Sequence, residues 1–210
     1  MIKDVVFDLG GVLVDLDIGR CMEAFRSLGM PKVAELLNPY YPAEMIGRLE
    51  SGKISFHEAC DEMRRLDARP DISDERITWA YGEFLRGVPV AKLRQIDRLR
   101  EQGLRTWVLS NNNPVSMEFV QRMFTVDGKT MEKYFDGIFL SYEMHELKPS
   151  EAIFRKMIDA SGMQPAKTLF IDDGPRNIDT ARQLGFAVYM PAPGEDFGHV
   201  LELAASGARQ

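Results

Sequence analysis

A chain of 210 residues, 45% of them hydrophobic, is long enough for one sizeable core or for a core carrying a smaller inserted unit. Its formal net charge of −6 argues against nucleic acid as a partner, because displacing counterions from a polyanion needs a basic face. No apolar run approaches the ~20 residues that span a bilayer, and the opening residues lack a signal-peptide cleavage pattern, so no membrane partner and cytoplasmic residence are expected.

The chain opens on a short apolar run at residues 2–7, bounded by Asp8, which predicts a buried strand. From residue 15 to residue 88 only helical periodicity follows. Its apolar positions are Ile18, Cys21, Met22 and Phe25, then Met45, Ile46 and Leu49, then Phe56, Ala59, Cys60 and Met63, and last Ile77, Ala80, Tyr81 and Phe84. Gly52 is placed to close one of these helices in the left-handed conformation, and Ser55 with Glu58 makes a capping box for the next. Cys21 and Cys60 fit the apolar faces and read as inert thiols rather than a disulfide or metal pair. The stretch therefore predicts a helical insertion after the first strand.

Beyond it, runs at 104–109, 137–140, 168–171 and 186–190 read as further buried strands. Helical patterns lie between the later ones: Val115, Phe119 and Met123; Ile153, Phe154, Met157 and Ile158; Ile178, Ala181 and Leu184, closed by Gly185. Strand and helix in alternation predict an α/β fold with a parallel sheet. Arg94, Arg98, Arg100 and Arg105 alternate with apolar residues and read as a solvated face, and residues 204–210 as a frayed tail.

Four polar sites fall at the C-terminal ends of these strands, where open α/β sheets bind ligands: Asp8, Ser110, Lys148 and the pair Asp172 and Asp173. Singly, each has an ordinary structural reading as a loop turn, a cap, a solvated charge or a helix start before Pro175. As a set they carry more. The segment VVFDLGGVLVD at 5–15, LSNNN at 109–113, Lys148 with Pro149, and FIDDGPRN at 170–177 resemble, in order, the four motifs of the haloacid dehalogenase superfamily.

That resemblance, which covers nearly all of residues 1–190, implies a Rossmann-like parallel sheet core flanked by helices, built from residues 1–14 and 89–210. Residues 15–88 then form an inserted α-helical cap domain, closest to a glucose-1-phosphate phosphatase-like branch. It implies a magnesium-dependent phosphatase acting on a small soluble phosphate monoester through an aspartyl-phosphate on Asp8. Magnesium, a hard ion that takes oxygen ligands, is expected on Asp8, the Gly10 carbonyl and Asp173, with Asp172 orienting it indirectly and Asn177 one helical turn beyond. Ser110 and the Asn111 backbone N–H are expected on the phosphate, and Lys148 where negative charge spreads in the transition state. Arg20, at the opening of the first cap helix, is a candidate substrate grip, although a solvated helix arginine is the ordinary alternative.

One position departs from the pattern. Most phosphatases of the superfamily carry at position 10 an aspartate that protonates the leaving oxygen and then activates water; here Gly10 has no side chain. Candidate substitutes are Asp15, Asp17 and His145, or an acidic leaving group that departs as an anion. The alternatives to a phosphatase are a non-catalytic phosphate- and metal-binding protein, a dehalogenase, which needs no metal and so has no use for the Asp172 and Asp173 pair, and a phosphomutase. A monomer or weak homodimer is expected.

Overall fold

The computed structural model describes residues 1–37 and 44–207, without the side chain of Asp127. The elements follow in chain order as β1 (Asp4–Phe7), β2 (Asp15–Leu16), α1 (Ile18–Ser27), α2 (Pro31–Leu36), α3 (Glu44–Glu50), α4 (Phe56–Asp67), α5 (Asp74–Gly82) and β3 (Leu85–Gly87). Then come α6 (Val90–Glu101), β4 (Arg105–Ser110), α7 (Pro114–Met123), β5 (Gly137–Leu140), α8 (Ser141–Met144), α9 (Glu151–Ser161), β6 (Thr168–Ile171), α10 (Pro175–Gln183), β7 (Ala187–Tyr189) and α11 (Gly198–Ser206).

Five of the described strands form a parallel sheet in the order β5-β4-β1-β6-β7. A strand's side chains alternate between faces, so β1 feeds two cores. Val5 and Phe7 pack with Leu93, Ile96 and Leu99 of α6, Met117 and Val120 of α7 and Val200 and Leu201 of α11. Val6 packs on the other face with Ile153, Phe154 and Met157 of α9 and Ile178 and Ala181 of α10. On that face Phe154 meets Phe170 edge to face at 5.3 Å between ring centroids. Each such fully buried side chain contributes about 1.5–3 kcal/mol, which makes the sheet a stiff platform for whatever its ends carry.

The register decides what those ends place together. Phe7 stands beside Val108 on one side and Ile171 on the other. Asp8 and Asp172, each the next residue along, therefore emerge side by side at the same edge, with Ser110 closing β4 next to them.

The helices of the insertion carry a core of their own, made by Phe25, Met30, Leu49, Met63 and Ile77 among others. Ser55 accepts the Glu58 N–H while the Glu58 side chain returns to the Ser55 N–H, completing the capping box, and Gly52 has φ +68°. Periodicity predicts only helices in the insertion, but β2 pairs antiparallel with β3 where the chain leaves and re-enters the sheet. The tail also differs, since Gly198–Ser206 is a helix with Val200, Leu201 and Ala204 buried, while 208–210 lie outside the described residues. Nor are Arg100 and Arg105 merely solvated. Arg100 bonds Thr106 at 3.0 Å and Asp136, and Arg105 meets buried Asp4 at 2.7 Å while lying over the Trp107 ring. No described helix is long and apolar enough to cross a membrane.

Candidate active site

A cavity of about 600 Å³ opens at the C-terminal edge of the sheet and is walled on one side by the insertion. Asp8, Gly10, Ser110, Asn111, Lys148 and Asp173 all line it.

Lys148 is the organising charge. Its side chain is 1% exposed, and the ammonium reaches Asp8 Oδ2 at 3.0 Å, Asp172 Oδ2 at 2.6 Å and the Leu109 carbonyl at 2.9 Å. Those three contacts use all its donors. Burial works against its charge, but Asp172 and Asp8 outweigh burial and hold its pKa above the ordinary lysine value. The Asn111 side chain accepts from the Lys148 N–H at 2.8 Å and donates to the Lys148 carbonyl at 3.0 Å, so the residue expected to act through its backbone also fixes the lysine through its side chain.

Asp172 is fully buried and saturated. Beyond Lys148 it accepts from the Gly174 N–H and from Asn177 Nδ2, each at 2.8 Å. Asp173 instead lines the cavity. Its carboxylate sits so close to Gly11 that a Cβ there would stand 2.1 Å from Oδ2, and Gly11 has φ +74°, so only glycine serves. Asp8, Asp172 and Asp173 each present a carboxylate oxygen within 4.8 Å of the others. Three clustered carboxylates against one lysine, which contacts Asp8 and Asp172, make a site of net negative character that suits a hard cation. Burial pushes the Asp8 carboxyl up to about 7, with Lys148 opposing the rise and Asp172 and Asp173 adding to it.

Ser110 ends β4 nearly buried, at the cavity wall. Asn177 lines the cavity too, on the first turn of α10, which starts at Pro175.

Four expected residues are elsewhere. Arg20 is held by Glu83 in an ion pair and is not part of the wall, because its neighbour in the fold supplies a carboxylate that local sequence did not reveal. Asp15 meets Lys92 at 3.3 Å, Asp17 caps α1 by accepting from the Arg20 N–H, and exposed His145 lies 3.3 Å from the Ser51 carbonyl. In their place the cavity holds Glu50, the last residue of α3. Nothing in the sequence around Glu50 marks it, since its approach to Asp8 is set by packing between distant segments.

Comparison with known proteins agrees with this geometry. A family model described as haloacid dehalogenase-like hydrolase matches residues 2–185. A D-ribitol-5-phosphate phosphatase of Bacteroides thetaiotaomicron is 36% identical over 198 residues, 94% of this chain and 95% of that protein. A haloacid dehalogenase family enzyme from the same organism, crystallised as an aspartate-to-alanine variant with magnesium and inorganic phosphate, superposes with a TM-score of 0.92 at 34% identity, covering 95% of this chain and 98% of that one. A predicted HAD-like family hydrolase from Porphyromonas gingivalis gives 0.89 at 36% identity, with 100% of each chain covered. The chain belongs to the haloacid dehalogenase-like hydrolase family.

Proposed function

We propose that this chain is a magnesium-dependent phosphatase that hydrolyses a small, soluble, hydroxylated phosphate monoester through an aspartyl-phosphate on Asp8. The observation that carries the reading is the gathering of Asp8, Asp172 and Asp173 at one sheet edge, with buried Lys148 on the first two. Asp8 is the nucleophile: its Oδ1 accepts the Leu9 N–H at 2.7 Å and its Oδ2 lies on Lys148, which fixes the carboxylate at the cavity wall.

The donor set fits magnesium. Asp8, the Gly10 carbonyl and Asp173 are the proposed ligands, and Asp172, whose oxygens are already taken, orients Lys148 and the loop through Gly174. Bound magnesium neutralises phosphate charge and lets two anions approach. Ser110 and the Asn111 N–H hold phosphate oxygens, and Lys148 adds fixed positive charge as negative charge spreads. Asp8 attacks phosphorus, the leaving alcohol departs, and water then releases inorganic phosphate from Asp8.

The ribitol phosphate relative and the cavity size support a sugar or polyol phosphate as substrate. Residues 15–88 act as the cap over the core formed by 1–14 and 89–210, excluding water around the reacting ester. We propose a cytoplasmic monomer or weak homodimer, and the acidic net charge supports a partner other than nucleic acid. The test is phosphate release from a panel of sugar, polyol and nucleotide phosphates with magnesium, then with chelator. Release that is equal in both conditions would refute the metal dependence, and no release from any ester would refute the reading.

A further inference from the structure

A phosphatase of this kind must handle a proton, and the inference here rests on the phosphatase reading. An alkyl leaving group departs as a strongly basic alkoxide unless an acid protonates its oxygen, and the water that later attacks phosphorus must lose a proton.

Few groups on the wall can carry that proton. Asp8 is the nucleophile, and Lys148 has all three donors committed. Asp172 is buried and saturated, and Asp173 is assigned to the metal. Cys21 and Tyr81 also face the cavity, but burial pushes the Cys21 thiol up to about 12 and raises the Tyr81 phenol well above its ordinary value, so both keep their protons. Arg176 is always charged.

Glu50 is different. It lines the same cavity as Asp8, Ser110 and Lys148, and no hydrogen bond or ion pair to its carboxylate occurs among the described residues. Its position is nonetheless fixed from behind. The Ser141 hydroxyl donates to the Glu50 carbonyl at 2.6 Å and accepts from the Asn112 N–H at 2.9 Å, tying the end of α3 to the loop that carries Ser110 and Asn111. Two residues on, a Cβ at Gly52 would stand 2.5 Å from the Tyr142 carbonyl, so the insertion meets α8 at backbone contact.

We propose that Glu50 is the general acid and base of the reaction, supplied by the helical insertion to a site whose other groups come from the sheet. In the first step an Asp8 oxygen bonds phosphorus, the bond from phosphorus to the leaving oxygen breaks, and that oxygen takes the Glu50 proton. In the second, water bonds phosphorus while Glu50 takes its proton, and the bond to Asp8 breaks to give inorganic phosphate. Glu50 ends as it began. Burial pushes its carboxyl up to about 7, with Asp8 adding and Lys148 opposing, where one group can both give and accept a proton.

The test uses the full chain with magnesium and two substrates, 4-nitrophenyl phosphate and an alkyl phosphate such as a polyol phosphate. Glu50→Gln is expected to lower kcat on the alkyl ester by ~10²-fold or more, the usual size of a lost acid. On the aryl ester it should give a burst of nitrophenolate equal to the enzyme, followed by slow turnover, because the acidic alcohol leaves unaided and the second step lacks its base. Formate added to Glu50→Ala is expected to speed the slow phase. Equal losses on both esters without a burst, a rise in KM alone, unchanged rates, or a slow phase indifferent to formate would each overturn the proposal. Asp8→Asn is run beside them: turnover in that variant would instead refute the phosphatase reading through Asp8.

Discussion

Asn111 holds Lys148 by both sides of its main chain, accepting from the N–H at 2.8 Å and donating to the carbonyl at 3.0 Å. The ammonium between Asp8 and Asp172 thus depends on an amide 37 positions away. Asn111→Ala is expected to destabilise the fold by about 1–3 kcal/mol, the loss of two partly buried hydrogen bonds. The same variant should lower kcat/KM by ~10-fold or more as Lys148 shifts. Urea unfolding and steady-state kinetics on one preparation check both, and full activity would show that Lys148 needs no such support.

Asp172 and Asp173 are neighbours with opposite surroundings. Asp173→Ala is expected to weaken magnesium binding severely and to leave the fold largely intact. Asp172→Ala is expected to cost about 3–5 kcal/mol of stability, because it strips buried Lys148 of its nearest carboxylate. Calorimetric magnesium titration set beside thermal unfolding separates the two, and equal metal affinities would reverse the ligand assignment.

The pH dependence of stability has a definite sign. Asp8 and Glu50 both have folded values near 7, raised from 3.8 and 4.5. Between those limits the folded chain binds more protons than the unfolded one, so these two groups withdraw stability as pH rises toward 7. Metal-free protein is therefore expected to lose Tm from these two groups between pH 5 and pH 8. Asp8→Asn and Glu50→Gln should each flatten that loss, and Asp8→Asn should abolish turnover without lowering Tm at pH 8. Added magnesium, which binds the ionised form, should raise Tm more at pH 8 than at pH 5.5. Thermal melts with magnesium and with chelator measure this directly.

The two loop glycines should respond oppositely to substitution. Gly10 is not among the residues with positive φ, and a Cβ there would meet only the Leu16 Cδ1 end at 3.2 Å. Gly10→Asp is therefore expected to fold and, in the Glu50→Gln background, to restore alkyl phosphate hydrolysis. Gly11→Ala, driven against Asp173 at a left-handed backbone, should lose magnesium affinity. A Gly10→Asp protein that fails to fold would show that Leu16 cannot yield.

Much of the candidate site was legible because motif residues follow strand ends: Asp8 and Ser110 sit one step beyond a buried run, Asp173 two steps, and Lys148 follows β5 across α8, and the register brings those runs together. Glu50 was not, because it follows Leu49 as any helix-ending glutamate would, and only packing through Ser141 brings it to Asp8's cavity. The β2 and β3 ribbon escaped for another reason, since strands of two and three residues hold no periodicity to read. Arg20 misled because the opening of a helix says nothing of the partner, Glu83, that folds beside it.

The Ser141 hydroxyl between Glu50 and Asn112 also bears on the order in which the molecule can be completed. It comes 91 residues after Glu50 and 29 after Asn112, at the point where β5 passes into α8. A nascent chain that has made the insertion and β4 holds both ends of the link but not its middle. The end of α3 gains this link to the loop after β4 only when β5 has joined the sheet, a contact closed late because of its sequence distance. Until then Glu50 belongs to the insertion alone.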